Sequence, residues 1–216
     1  MEIKKLANNA PNFVINRVIE IVGVGIVIIG FLLLISLTSF SPNDPNFIFP
    51  ENTIIKNLLG FQGSFTADLF FQSLGLIALL IPFSLIIVGI NIVLNKKIFL
   101  IIESLFYTIF YSLFGSLFFS FFYSNAFKLY INGNGGFVGK YLQTTFFKSI
   151  ININPQISYY LLIIIVLSLF LFSIQFKINA SISFIKKKYK ILFSKKEKNY
   201  TNENEVINEF IPQDEI

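Results

Sequence analysis

Four stretches of the chain are apolar and long enough to cross a bilayer, and polar segments of unequal length join them. Val18 to Thr38 carries Glu20 as its only charge. At about 1.5 Å per residue such a run crosses a hydrocarbon core of about 30 Å. The same rule marks three more spans, Leu74 to Leu94, Ile98 to Phe122 and Ile157 to Phe176. Span one stops at Leu37-Thr-Ser-Phe-Ser-Pro-Asn-Asp-Pro45, where Pro42 and Pro45 cannot continue a helix and Asn43 and Asp44 favour turns. The pattern predicts an all-α integral membrane fold with four transmembrane helices.

Ser39 to Ser73 and Tyr123 to Gln156 are long connections, whereas Asn95 to Lys97 is a tight turn that makes spans two and three an antiparallel hairpin. In the second long connection, the turn-rich Asn132-Gly-Asn-Gly-Gly136 precedes Phe137 to Phe147. There Val138, Tyr141, Leu142 and Thr145 share a helical face and predict an amphipathic helix flat on the outer surface. Ile54 to Leu59, ended by Gly60, predicts a counterpart in the first. Within span three, Ser104, Thr108, Ser112, Ser116 and Ser120 recur every fourth residue beside Gly115. Small residues on such a ridge let helices approach closely and exchange weak hydrogen bonds, so it is expected to pack a neighbouring span of the same chain or another protomer. The alternative is that these hydroxyls only bond carbonyls of their own helix.

Charge supplies the orientation. Lys4, Lys5 and Arg17 precede span one, Lys96 and Lys97 join spans two and three, and eight lysines follow from Lys177 onward. The long connections hold only Lys56, Lys128, Lys140 and Lys148, so the positive-inside rule places both termini in the cytoplasm and both long loops outside. This divides the chain into a cytoplasmic N-terminus (1–17), a membrane domain (18–185) and a basic juxtamembrane segment opening a disordered linker (186–216). In the last, Lys186, Lys187, Lys188, Lys190, Lys195 and Lys196 alternate with aromatic and aliphatic residues, which suits anionic lipid headgroups better than DNA. From Asn199 the residues turn acidic and polar, with little to bury. A cleaved signal peptide competes for span one, but the run exceeds the usual apolar core and no Ala-x-Ala site follows.

Composition narrows the chemistry. Apolar residues make up 54% of the chain, 28 residues are Phe, and the net charge is +5, so the excess of base describes a membrane-facing tail. With no Cys and no His the sequence excludes disulfides, thiolate metal sites, a catalytic thiol and the commonest general base. Glu20 and Glu103 lie near span ends rather than mid-span, which argues against a proton relay. No cofactor is expected.

Three motifs together resemble the four-span membrane domain at the N-terminus of FtsK-type (FtsK/SpoIIIE) bacterial DNA translocases. Ser39-Phe-Ser-Pro-Asn-Asp-Pro-Asn46, with Phe40, Pro42, Asp44 and Pro45, is similar to the family's Ser-Phe-x-Pro-x-Asp-Pro signature. Asn57 to Gly75 carries the family positions Gly60, Gly63, Ala67, Asp68, Phe71 and Gly75, followed by Pro82; Ser64 stands where the family usually has Ala, and Phe70-Phe71 replaces Leu-Phe. Gly135, Gly136, Gly139 and Leu142 resemble the Gly-Gly-x-x-Gly-x-x-Leu before span four. The resemblance covers residues 15 to 185.

It implies an inner-membrane anchor enriched at the division septum, acting in cell division and chromosome segregation, homo-oligomeric and in contact with other division-site membrane proteins. DNA would be met only through an ATPase motor outside this chain. Asn134-Gly-Gly-Phe-Val-Gly-Lys-Tyr141 lacks the first glycine and final hydroxyl of a phosphate-binding loop, so it is not one. The chain stops at Ile216 where the family's linker would begin, as a truncated product would. Asp68 suits a helix N-terminus as well as a partner or ion site. A small transporter or channel subunit is the rival class, favoured by Asp68, Gln72, Asn91 and Pro82 around span two; an accessory subunit of an envelope complex is a third.

Overall fold

The computed structural model describes residues 2–45, 54–124 and 132–176, with side chains from Phe13 onward. Every regular element among them is helical: α1 (Glu2–Thr38), α2 (Gly60–Leu74), a 3-10 segment (Gly75–Leu80), α3 (Ile81–Asn95), α4 (Leu100–Phe122), α5 (Gly136–Gln143), α6 (Phe147–Ile153) and α7 (Pro155–Ser173). Four helical runs are long and apolar enough to cross a membrane: Phe13–Thr38, Gly60–Asn95, Leu100–Phe122 and Pro155–Ser173. Capping shifts some expected boundaries. α7 starts at Pro155 because the Asn154 side chain accepts from Ile157 N at 3.1 Å and proline suits a first helical position.

Lipid gives apolar helices no hydrophobic reason to associate, so close packing and internal polar bonds must do it. Glycines permit the tightest pairing, α1 against α3. A Cβ on Gly89 would lie 2.7 Å from the Gly23 carbonyl oxygen, and one on Gly30 would lie 2.8 Å from Ile86. α4 instead packs chiefly on α7, so the α3–α4 hairpin partners are each held most closely by another helix. Ser84 Oγ and Tyr111 hydroxyl, both buried, meet at 3.1 Å between α3 and α4.

The two ends of the bundle differ. At the turn end, Lys96 pairs with Glu20 at 2.9 Å, Asn91 Nδ2 donates to Gln175 Oε1 at 3.2 Å, and Gln175 Nε2 donates to Leu100 O at 3.1 Å. The start of the α1 span, the α3–α4 turn and the end of α7 therefore gather there. The loop end carries the long connections and the main core of Leu33, Leu37, Ala67, Phe71, Ile77, Ala78, Ile81, Tyr111 and Val166.

Three expectations are corrected. Residues 54–59 form turns, not a helix, and Gly60 opens α2 rather than closing a helix. The helical run of span two begins at Gly60, not Leu74, and the hydroxyl and amide side chains of Ser64, Thr66, Gln72 and Ser73 ahead of Leu74 all find hydrogen-bond partners. The segment after Gly136 is two short helices broken at 144–146 rather than one, and α5 docks on the bundle through Gly136 and Gly139, since a face without side chains permits the closest approach.

Candidate functional site

The three sequence motifs converge on one junction at the loop end. Its first half is the exit from α1. Asp44, buried, accepts from the backbone N–H groups of Lys56 at 3.0 Å and Asn57 at 2.8 Å. Charge-assisted bonds of this kind are stronger than neutral ones, and here they fold the turn ahead of Gly60 back onto the exit from α1. Asn57 is the second tie, its Nδ2 donating to Ser36 O at 2.8 Å and its Oδ1 accepting from Leu59 N at 3.1 Å. Ser36 Oγ donates to Gly63 O at 2.7 Å, and Ser64 Oγ donates to Pro45 O at 3.0 Å.

These bonds explain the glycines. A Cβ on Gly63 would sit 2.1 Å from Asn57 Oδ1, while Gly60, with φ +66 and nothing within 4 Å, is demanded by conformation alone. Phe40 lies on Phe71 with ring centroids 4.8 Å apart, and Ala67 is fully buried. Pro45 is buried and Pro42 exposed, so the turn-making role of Pro42 leaves its ring facing outward.

The second half is a break in span two. Gly75 takes φ +75 and ψ −151, conformations open essentially to glycine alone. Seven residues on, Pro82 has no N–H, so Ala78 O is taken by Ile81 N in the 3-10 manner. Gly75 and Pro82 thus bracket the 3-10 stretch. The break strands backbone groups, and the turn just ahead of the third motif, together with α4, supplies their partners. Asn134 O accepts from Leu76 N at 2.9 Å, and Ser116 Oγ donates to Leu74 O at 2.7 Å. Asn132 binds Gln72 twice, through Asn132 N to Gln72 Oε1 at 3.1 Å and Asn132 Nδ2 to Gln72 O at 3.2 Å.

Contact here is backbone to backbone. A Cβ on Gly75 would meet Asn134 O at 2.0 Å, one on Gly136 would meet Gly75 N at 2.6 Å, and one on Gly139 would meet Ser116 O at 2.3 Å. Gly135 faces Ser116 O and Ser120 in the same way. Leu142 packs against the second cluster, Leu117, Ile151 and Leu162.

The serine ridge of α4 divides along its length. Ser104 and Thr108 reach Ser173 on α7 at 3.3 and 2.8 Å, Ser116 reaches the break, and Ser120 Oγ donates to Gln143 Oε1 of α5 at 2.8 Å. Ser112 Oγ is buried without a hydrogen-bond partner. Asp68 receives Gln72 Nε2 at 3.4 Å and lines a cleft of about 330 Å³ with Phe65, Leu69, Gln72, Ser73, Asn132 and Phe137. Asn91 is bonded to Ile174 O and Gln175 at the turn end, and Pro82 is buried, so the polar set around span two does not line one path. Among the described residues no cluster of His, Cys, Asp or Glu could hold a metal ion. Lys186, Lys187, Lys188, Lys190, Lys195 and Lys196 lie outside the described residues.

A motif set spread over a hundred residues yet folded into one junction is a family's signature, and comparison with known families agrees. Residues 16–184 match the 4TM region of DNA translocase FtsK/SpoIIIE. The chain belongs to the FtsK 4TM family. It is a multi-pass membrane protein, and its FtsK 4TM region is the part of a DNA translocase found in these 216 residues; a motor domain is not among them. No solved structure matches the chain.

Reasoning from sequence missed Ser36, Asn134 and Ser173 as ties of this FtsK 4TM fold. Each had a signal. Ser36 and Ser173 are hydroxyls inside apolar runs, and Asn134 stands directly before the glycine pair.

Proposed function

We propose that the chain is the membrane anchor of an FtsK-type DNA translocase, placing it at the division septum for chromosome segregation during cell division. The match of residues 16–184 to the 4TM region carries this reading. Both termini face the cytoplasm and the long loops face the periplasm of the bacterial inner membrane. The lysine distribution supports that orientation, and so does the gathering of the α1 start, the α3–α4 turn and the α7 end at one end of the bundle. The basic segment 186–196 binds anionic headgroups, copies of the chain associate, and other division-site membrane proteins are the partners. DNA is reached only through a motor domain outside these residues.

An N-terminal fluorescent fusion in dividing bacteria tests it. A band at the constriction is the expected result. Uniform membrane signal from a stable, full-length fusion refutes septal anchoring and leaves the family membership intact.

A further inference from the structure

Five large apolar or aromatic side chains on and beside α5 and α6 are exposed. Because α5 turns Gly136 and Gly139 inward, Phe137 and Tyr141 point out, each 62% exposed, their rings stacked 6.4 Å apart. α6 buries Ile151 and leaves Ile150 and Ile153 outside, Ile153 at 84% exposure, and Phe146, the residue capping its start with near-helical φ and ψ, is exposed as well. At about 100° per residue those three fall within about 60° of one another, while Lys148 and Asn152 take the other flank. The exposed part of α6 is therefore two-sided, apolar on one flank and polar on the other, as a helix at a membrane surface is.

Continuity with the membrane span says what covers the apolar flank. α6 ends at Ile153 and α7 begins at Pro155, across the single extended residue Asn154 (φ −147, ψ 90). The outward face of α7 continues with Ile157, Tyr160, Leu161, Ile164 and Leu167, all exposed on a helix that spans the bilayer and hence in contact with lipid. Ile150 and Ile153 adjoin that surface where the span begins. Tyr141 has the amphipathic ring that favours the boundary between headgroups and acyl chains, and Phe137 and Phe146 add apolar surface of the kind that interfacial helices bury there.

We propose that α5 and α6 form a lipid-binding shelf. Phe137, Tyr141, Phe146, Ile150 and Ile153 insert into the leaflet at the loop end, and Lys148 and Asn152 face the headgroups and water. The occupant is the bilayer itself, not a second protein. A shelf of this kind fixes the depth of the junction that the glycines of α5 build.

The chain has no tryptophan, so single substitutions report one position each. Phe146→Trp, Ile153→Trp, Tyr141→Trp and, mid-span, Ile164→Trp are made in the full chain. Each is placed in nanodiscs whose lipids carry bromine either near the ester or near the chain end. The first three are expected to be quenched more by shallow bromine, at a depth of about 5–10 Å into the boundary, and Ile164→Trp more by deep bromine. Water-like emission at 141, 146 and 153 that iodide quenches, alongside a lipid-responsive 164, overturns the shelf. Blue-shifted emission reached by neither quencher also overturns it, since that is what a second copy or another protein seated on the face would give. Three reporters on two helices keep the test decisive if one variant fails to fold.

Discussion

Replacing Gly75 by alanine tests the junction where its geometry is tightest. Two independent penalties apply. A non-glycine residue at φ +75 and ψ −151 is strained by about 1–3 kcal/mol. The new Cβ would also lie 2.0 Å from Asn134 O, a backbone atom that no rotamer change can move aside. Separating the two segments breaks the 2.9 Å bond from Leu76 N and leaves the N–H of this half-buried residue unpaired, at about 1–3 kcal/mol. The sum, about 2–6 kcal/mol, is a large part of a domain's usual stability of about 5–15 kcal/mol. Three controls separate the causes. Gly25, with nothing within 4 Å of its would-be Cβ, tolerates alanine with a gain of about 0.5–1 kcal/mol. Gly60→Ala carries strain without a clash and loses about 1–2 kcal/mol. Gly139→Ala carries a clash with Ser116 O at 2.3 Å without a positive φ. Unfolding by dodecyl sulfate, followed by circular dichroism in mixed micelles, ranks them. If Gly75→Ala unfolds with Gly60→Ala, the docking of the third motif onto the break in span two is wrong.

Two further predictions concern polar ties. Ser116→Ala strands the Leu74 carbonyl and lowers stability by about 1–2 kcal/mol in the same assay, whereas Ser112→Ala, four residues away on the same ridge but without a partner to lose, changes it by under about 0.5 kcal/mol. Equal effects would show that the ridge acts through size alone. Asp44→Ala removes the acceptor of two backbone N–H groups and destabilises by about 2–4 kcal/mol, while Asp44→Asn, which keeps one acceptor oxygen, loses less than half of that. Faster amide exchange at Lys56 and Asn57 in the alanine variant locates the loss.

Much of the fold was legible because lipid imposes a blunt rule: length and apolarity suffice to mark a span. Four candidate spans follow from it. What hydropathy could not reveal is where a helical run bends. Leu74 to Leu94 reads as one uniform apolar stretch, and only the pairing of Gly75 with Pro82 betrays the 3-10 segment between them. The docking face of α5 is invisible to hydropathy for a related reason. Periodicity weighs side chains, and α5 docks through positions that have none. In the first long connection a glycine after an apolar run suggests a helix end; Asp44, twelve residues before Lys56, decides otherwise by holding Lys56 and Asn57 in a turn, so that Gly60 opens α2.

The location of the family motifs bears on how their mutants are interpreted. Asp44, Gly63, Ala67, Phe71, Gly75, Pro82, Gly135, Gly136 and Gly139 are buried, and their ties run to one another and to Ser36, Asn57, Ser116 and Asn134. A partner protein approaching the loop end meets other residues: the exposed Pro42, Phe61 and Leu58, and the rim of the Asp68 cleft. Loss of septal localisation in a motif variant therefore reports loss of the junction before it reports loss of a partner. Substitutions at the outward residues, with unfolding unchanged, are the ones that separate recruitment from folding. The asymmetry has a physical origin. Breaking a span at Gly75 exposes carbonyl and amide groups that lipid cannot satisfy, so the chain must carry their partners itself, and that requirement brings α4, α5 and both long connections to one place.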